Sequence, residues 1–140
     1  MKLPAFLQPD PEEAETSVAK PAPPHKLAIL VVDDEPAFRS LVAKTLELDG
    51  YHVIEAGDGA EAIELAAKVK HVDLVVTDIR MPQMDGVALT HALRRTQPFV
   101  PVVFITGHPT DLRRFVPNSC TLNKPFLRED LMKAVHQFMA

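Results

Sequence analysis

Five polar residues of this 140-residue sequence stand at the ends of apolar or strand-like runs: Asp33 and Asp34 after LAILVV, Asp78 after LVVT, Thr106 closing PVVFIT, and Lys124 after CTLN. Three carboxylates gathered in one place repel one another unless a cation lies between them or some of them hold protons. Carboxylates with a phosphate oxygen and waters suit octahedral magnesium, or manganese in its place, whereas zinc would ask for His or Cys at close spacing. A lysine ammonium opposite the acids is a point charge for a phosphate oxygen, and a threonine hydroxyl offers a hydrogen bond to the same group. Together they describe a site for one phosphoryl group. Singly, each has a plainer reading: Asp33 or Asp34 as the cap of a helix beginning near Pro36, Thr106 and Lys124 as ordinary strand-end residues. Asp85, directly before Gly86 and a helical stretch, is assigned to an N-cap and not to the metal.

The five residues meet only if the elements that carry them lie side by side. LAILVV at 27–32 has the length and continuous apolarity of a buried strand. Phe38, Leu41, Val42, Thr45 and Leu46 follow at helical spacing, with Pro36 suited to the first turn and Gly50 to the stop. The pattern then repeats. YHVIEA (51–56) is a strand, and 59–70 is a helix with Ile63, Ala66 and Ala67 on one face. LVVT (74–77) is a strand, 86–96 a helix, and PVVFIT (101–106) a strand. Residues 120–123 form a weak strand, and 128–139 a helix with Leu131, Val135 and Phe138 facing inward. Such alternation predicts an α/β domain: a doubly wound five-stranded parallel sheet with right-handed crossovers and helices on both faces. Ligands of such sheets bind outside the carboxyl ends of the strands. In the strand order 2-1-3-4-5, neighbours are about 4.8 Å apart and all five polar residues share one shallow pocket.

Composition removes several function classes. The formal net charge of −4 offers no basic stripe for phosphates of DNA or RNA, so no nucleic-acid partner is expected. The single cysteine, Cys120, forms no internal disulfide or thiolate cluster and reads as a small buried residue. No apolar run reaches the roughly 18–20 residues of a membrane span, and prolines and acids interrupt the first residues before a signal-peptide core could form. A cytoplasmic protein without a membrane partner is expected. Residues 1–25 hold six of the thirteen prolines together with Asp10, Glu12, Glu13 and Glu15, which predicts a disordered tail ahead of one domain at 26–140. Within that tail, LPAFL at 3–7 is a short apolar patch with the character of a docking motif.

The motifs VVDDEP, TDIRMPQMDG, FITGH and NKPF, in this order and on these elements, resemble the receiver domain of two-component response regulators over residues 27–140. The resemblance implies that Asp78 is the phosphoacceptor. It would take a phosphoryl group from the phosphohistidine of a histidine kinase or histidine phosphotransfer protein, acting as a signalling protein and not as an ordinary enzyme. It further implies that Asp34 and Asp78 ligate magnesium directly, Asp33 largely through water, and Arg80 through its backbone carbonyl. Lys124 would pair with the phosphoryl oxygens, Thr106 would move toward them on activation, and the Lys124–Pro125 peptide would be cis, aiming the lysine inward.

The sequence also departs from the family's pattern. Thr121 stands where a tyrosine or phenylalanine usually relays the movement of the threonine. The interval from Thr106 to Lys124 is shorter than common, and Pro109 and Pro117 leave room for a shortened fourth helix of about two turns, Thr110 to Val116. Arg113 and Arg114 lie there as a solvated or positive edge, and His108 borders the expected phosphoryl position, either orienting water or shielding the group. The leading expectation is a stand-alone response regulator that signals through a downstream protein or passes the phosphoryl group onward. The alternative is a non-switching interaction module of the same fold. A magnesium-dependent phosphatase with an aspartyl intermediate would need an acid-x-acid pattern at the first strand, which DDEP does not supply.

Overall fold

The computed structural model describes residues 26–108, 111–113 and 115–139. The 1–25 segment with its apolar patch, and also Pro109, Thr110 and Arg114, lie outside the described residues. In chain order the elements are β1 (Ala28–Val32), α1 (Pro36–Leu48), β2 (His52–Ala56), α2 (Gly59–Val69), β3 (Leu74–Asp78), α3 (Gly86–Leu93), β4 (Val102–Thr106), β5 (Ser119–Asn123) and α4 (Arg128–Met139). All strand pairs are parallel and the order is β2-β1-β3-β4-β5. The sheet is the one the alternating pattern predicts.

β1, β3 and β4 occupy the centre and are apolar on both faces because helices cover both. Leu30, Val32, Val75 and Phe104 pack on one side with Ala62, Ala66 and Leu89. Ile29, Val31, Val76 and Ile105 pack on the other with Val42, Leu46, Leu131 and Val135. The edge strand β2 leaves His52 and Glu55 exposed.

Local chemistry sets the helix ends. Pro36 occupies the first turn of α1, and Gly50, at φ +96°, makes the turn that follows it. Asp58 accepts from the Glu61 amide at 2.8 Å while Glu61 Oε1 accepts from the Gly57 amide at 2.7 Å, a capping arrangement that starts α2. Asp85 caps α3 by accepting from the Ala88 amide at 2.8 Å, the role expected of it.

The structure differs from the sequence expectations in four places. α3 ends at Leu93, short of residue 96: the Arg95 and Thr96 amides donate to the carbonyls three residues back, Ala92 and Leu93, at 3.3 and 3.2 Å, so the chain leaves the helix as a tightened turn, and the Arg94 guanidinium donates to the Val100 carbonyl at 2.8 and 3.1 Å. Leu41 is 63% exposed, at the edge of the buried face of α1. Ala67 is exposed, the buried alanines of α2 being Ala62 and Ala66. The shortened fourth helix is not formed among the described residues between β4 and β5. The Phe115 and Val116 amides both donate to the Leu112 carbonyl, at 2.9 and 2.7 Å, closing a single turn. Pro117 disfavours helical geometry at the residue before it, and Asn118 follows at φ +58°. Val116 is nevertheless fully buried against the core, so this turn replaces the helix as cover for the sheet.

Candidate functional site

The carboxyl ends of β1, β3, β4 and β5 bring the five residues together. One oxygen each from Asp33, Asp34 and Asp78 lies within 4.8 Å of the others. Lys124 Nζ faces them, 3.7 Å from Asp78 Oδ2 and 3.9 Å from Asp33 Oδ2. Thr106 closes β4 in a buried position, and its carbonyl accepts from the Lys124 amide at 2.8 Å, joining the two strand ends. The Thr106 hydroxyl accepts from the His108 amide at 3.1 Å, which places His108 at the rim. The Lys124–Pro125 peptide is cis.

The acids are unequal. Asp33 is buried, Asp78 partly buried and Asp34 exposed. Asp33 Oδ1 accepts from the Glu35 amide at 2.8 Å, but Asp33 Oδ2 is buried and accepts no hydrogen bond. Burial pushes the Asp33 carboxyl above its ordinary range, against the pull of the Glu35 amide, and the charge of Asp78 raises it further. Burial likewise raises Asp78, opposed by Lys124 and the Arg80 amide and reinforced by Asp34. A buried carboxylate oxygen without a donor, beside two further carboxylates, is an all-oxygen set suited to a hard divalent cation. The donor chemistry therefore fits magnesium.

The loop after β3 carries Asp78 on a tight backbone. The Gly86 amide donates to the Ile79 carbonyl at 2.8 Å, and the Ile79 amide donates to the Ile105 carbonyl at 3.0 Å. Gly86 packs so closely that a Cβ there would collide with the Asp78 carbonyl oxygen. This explains why glycine follows the Asp85 cap.

The family model for the response regulator receiver domain matches residues 29–136. The chain belongs to the response regulator receiver domain family. Among solved structures, the Vibrio cholerae chemotaxis protein CheY4 is 31% identical at a TM-score of 0.75, covering 81% of this chain and 98% of that one. A response regulator receiver protein from Sinorhizobium medicae is 36% identical at a TM-score of 0.74, covering 81% and 94%. Curated relatives include the Escherichia coli K12 sensor protein EvgS, 40% identical over 71% of this chain, and the Brucella abortus sensor kinase CckA, 36% identical over 79%. The chain spans 8% of the length of EvgS and 12% of CckA. It is thus a receiver domain of two-component signalling, with sensor kinases and regulators among its relatives.

In this receiver domain Thr121 is half-buried on β5, where it borders a small recess with Asp111, Arg113 and Cys120. Cys120 is itself half-buried, and burial raises its thiol. Among the described residues no helix is long and apolar enough to cross a membrane.

Two residues near the site were not legible as such in the sequence. Arg39 donates Nη1 to the Asp33 carbonyl at 2.9 Å and pairs through Nε with Glu55 at 3.2 Å, tying α1 to the ends of β1 and β2. Phe38, read as a core-facing helical residue, places its ring beneath the Lys124 ammonium. Helical spacing identified its buried face, but nothing local links it to a lysine 86 positions away.

Proposed function

We propose that this receiver domain is a phosphoacceptor in which Asp78 takes a phosphoryl group from the phosphohistidine of a histidine kinase or histidine phosphotransfer protein. The observation that carries the reading is the Asp78 carboxylate at the end of β3, flanked by Asp33 and Asp34 and faced at 3.7 Å by Lys124. An Asp78 carboxylate oxygen bonds to phosphorus as the bond from phosphorus to the histidine nitrogen breaks, the nitrogen keeping the electron pair. The Lys124 ammonium pairs with the phosphoryl oxygens, and Thr106 offers its hydroxyl to them. Asp33, Asp34, Asp78 and the Arg80 carbonyl would hold magnesium, or manganese in its place, which when bound neutralises the phosphoryl charge. Little covalent work is asked of the chain, which positions the reacting groups and balances charge. The added charge of about −1.5 to −2 then biases the loops after β4 and β5.

On the same reading the phosphorylated domain, in the cytoplasm where such kinases present their phosphohistidine, signals to a downstream protein or hands the phosphoryl group on. Incubation with acetyl phosphate and magnesium tests the chemistry: the wild type should incorporate a phosphoryl group that alkali and hydroxylamine release, as they do an acyl phosphate, and that Asp78→Asn does not take up. Equal incorporation by the variant would remove the assignment.

A second reading, a non-switching interaction module, draws on Thr121 in place of the aromatic and on the single turn at 112–116. Broad resonance shifts across β4 and β5 on adding beryllofluoride and magnesium would reject it, and unchanged spectra with beryllofluoride bound would favour it.

A further inference from the structure

We infer that Phe38 is a positioning residue for Lys124, its ring face holding the ammonium at the stand-off that phosphoryl recognition needs; the inference rests on the reading of Asp78 as phosphoacceptor. Lys124 carries a flexible four-carbon stem, and its side chain is 29% exposed, so burial alone leaves its head free to swing. Its distances to Asp78 Oδ2 and Asp33 Oδ2, 3.7 and 3.9 Å, exceed the roughly 2.7–2.9 Å of a direct charge-assisted hydrogen bond. The contact within its favourable range is the aromatic one: Nζ lies 4.3 Å from the Phe38 ring centroid, inside the roughly 6 Å over which a ring face attracts a cation.

The ring is itself held in place. Phe126 meets it edge-on, with centroids 5.9 Å apart and planes at 79°, an arrangement that favours the electron-rich face and positive edge of the two rings. Phe38 sits in the first turn of α1, and the adjacent Arg39 anchors that turn to the Asp33 carbonyl. Phe126 lies two residues after Lys124 on the opposite wall. The lysine is thus attracted from below by a fixed ring and from ahead by two carboxylates. The balance keeps the ammonium from collapsing into a direct hydrogen bond with Asp78 and leaves its donors available to an oxygen of a phosphoryl group carried on that carboxylate. An aliphatic side chain at 38 would fill the volume but supply no attraction.

The groove of about 650 Å³ that Phe38 and Phe126 line with Leu41 and Pro125 has room for a larger ring, so the inference can be tested by exchange. Phe38→Leu and Phe38→Tyr are compared with wild type, and Phe38→Leu is repeated in a Lys124→Gln background, thermal unfolding verifying that each is folded. In wild type and Phe38→Tyr the Lys124 ε-methylene protons should be shifted upfield by the ring; in Phe38→Leu that shift should vanish. Beryllofluoride with magnesium should bind Phe38→Leu about 3- to 10-fold more weakly, bind Phe38→Tyr within about twofold of wild type, and show no effect of Phe38→Leu once Lys124 is gone. An unshifted Lys124 in wild type, or an equal loss of affinity in the Lys124→Gln background, would overturn the inference. A wild type that shows the ring shift yet takes up no beryllofluoride would overturn the phosphoacceptor reading and leave the seating of Lys124 supported.

Discussion

Gly86 lies directly beneath the backbone of Asp78: a Cβ at Gly86 would collide with the Asp78 carbonyl oxygen and stand 3.2 Å from Ile79 Cα. The obstacle is backbone, not the far end of a side chain, so it can yield only by moving the residue that bears the candidate nucleophile. The turn that begins α3 therefore sets where the Asp78 carboxylate points. Gly86→Ala is expected to cost about 1–3 kcal/mol of stability and to slow labelling by acetyl phosphate by at least about tenfold, since misplacement by an ångström is costly in a reaction that depends on positioning. Urea unfolding and the labelling time course check the two parts separately.

Asp85 tests the opposite case. It is one residue from Gly86 but spends its carboxylate on the Ala88 amide. Asp85→Ala should lower stability by about 0.5–2 kcal/mol while leaving the labelling rate, measured well below the unfolding midpoint, within about threefold of wild type.

Asp33 and Asp78 should oppose folding at neutral pH when no cation is bound. Burial raises both carboxyls, so the folded state binds more protons than the unfolded one between the ordinary carboxylate value near pH 4 and the raised folded values. The stability these groups contribute is complete below about pH 4 and is lost as pH rises through the folded values. Asp78→Asn, which cannot ionise, should accordingly be more stable than wild type at pH 7, with the difference shrinking toward pH 4. Denaturant unfolding in chelator-treated buffer at both pH values measures it, and a difference that grows on acidification would contradict the sign.

Magnesium should reverse that penalty. A ligand that binds only the folded state at a hundredfold excess over its Kd adds about 2.7 kcal/mol, which for a domain of this size is a rise in Tm of roughly 5–15 °C. The increment should disappear with EDTA and be largely absent in Asp33→Asn, because that substitution removes charge from the carboxylate whose buried Oδ2 has no hydrogen-bond donor.

What the sequence by itself determined is what depends on neighbours along the chain. Continuous apolar runs mark β1, β3 and β4, and the polar residue closing each run marks the strand end, so Asp33, Asp34, Asp78 and Thr106 could be placed at one rim from pattern alone. Asp85 could be separated from Asp78 because capping is a matter of a residue and the amide three positions on. Tertiary structure decided what depends on chains that meet from far apart. The stranded oxygen of Asp33, the stand-off of Lys124 and the ring of Phe38 beneath it arise where the ends of β1, β3 and β5 and the first turn of α1 converge. The single turn at 112–116 was equally beyond local propensity: Pro117 limited the helix, but burial of Val116 against the sheet settled how the chain crosses from β4 to β5. Periodicity reports which face of an element is apolar. Which side chain a cation rests on depends on packing between elements, and that is fixed only when the sheet is assembled.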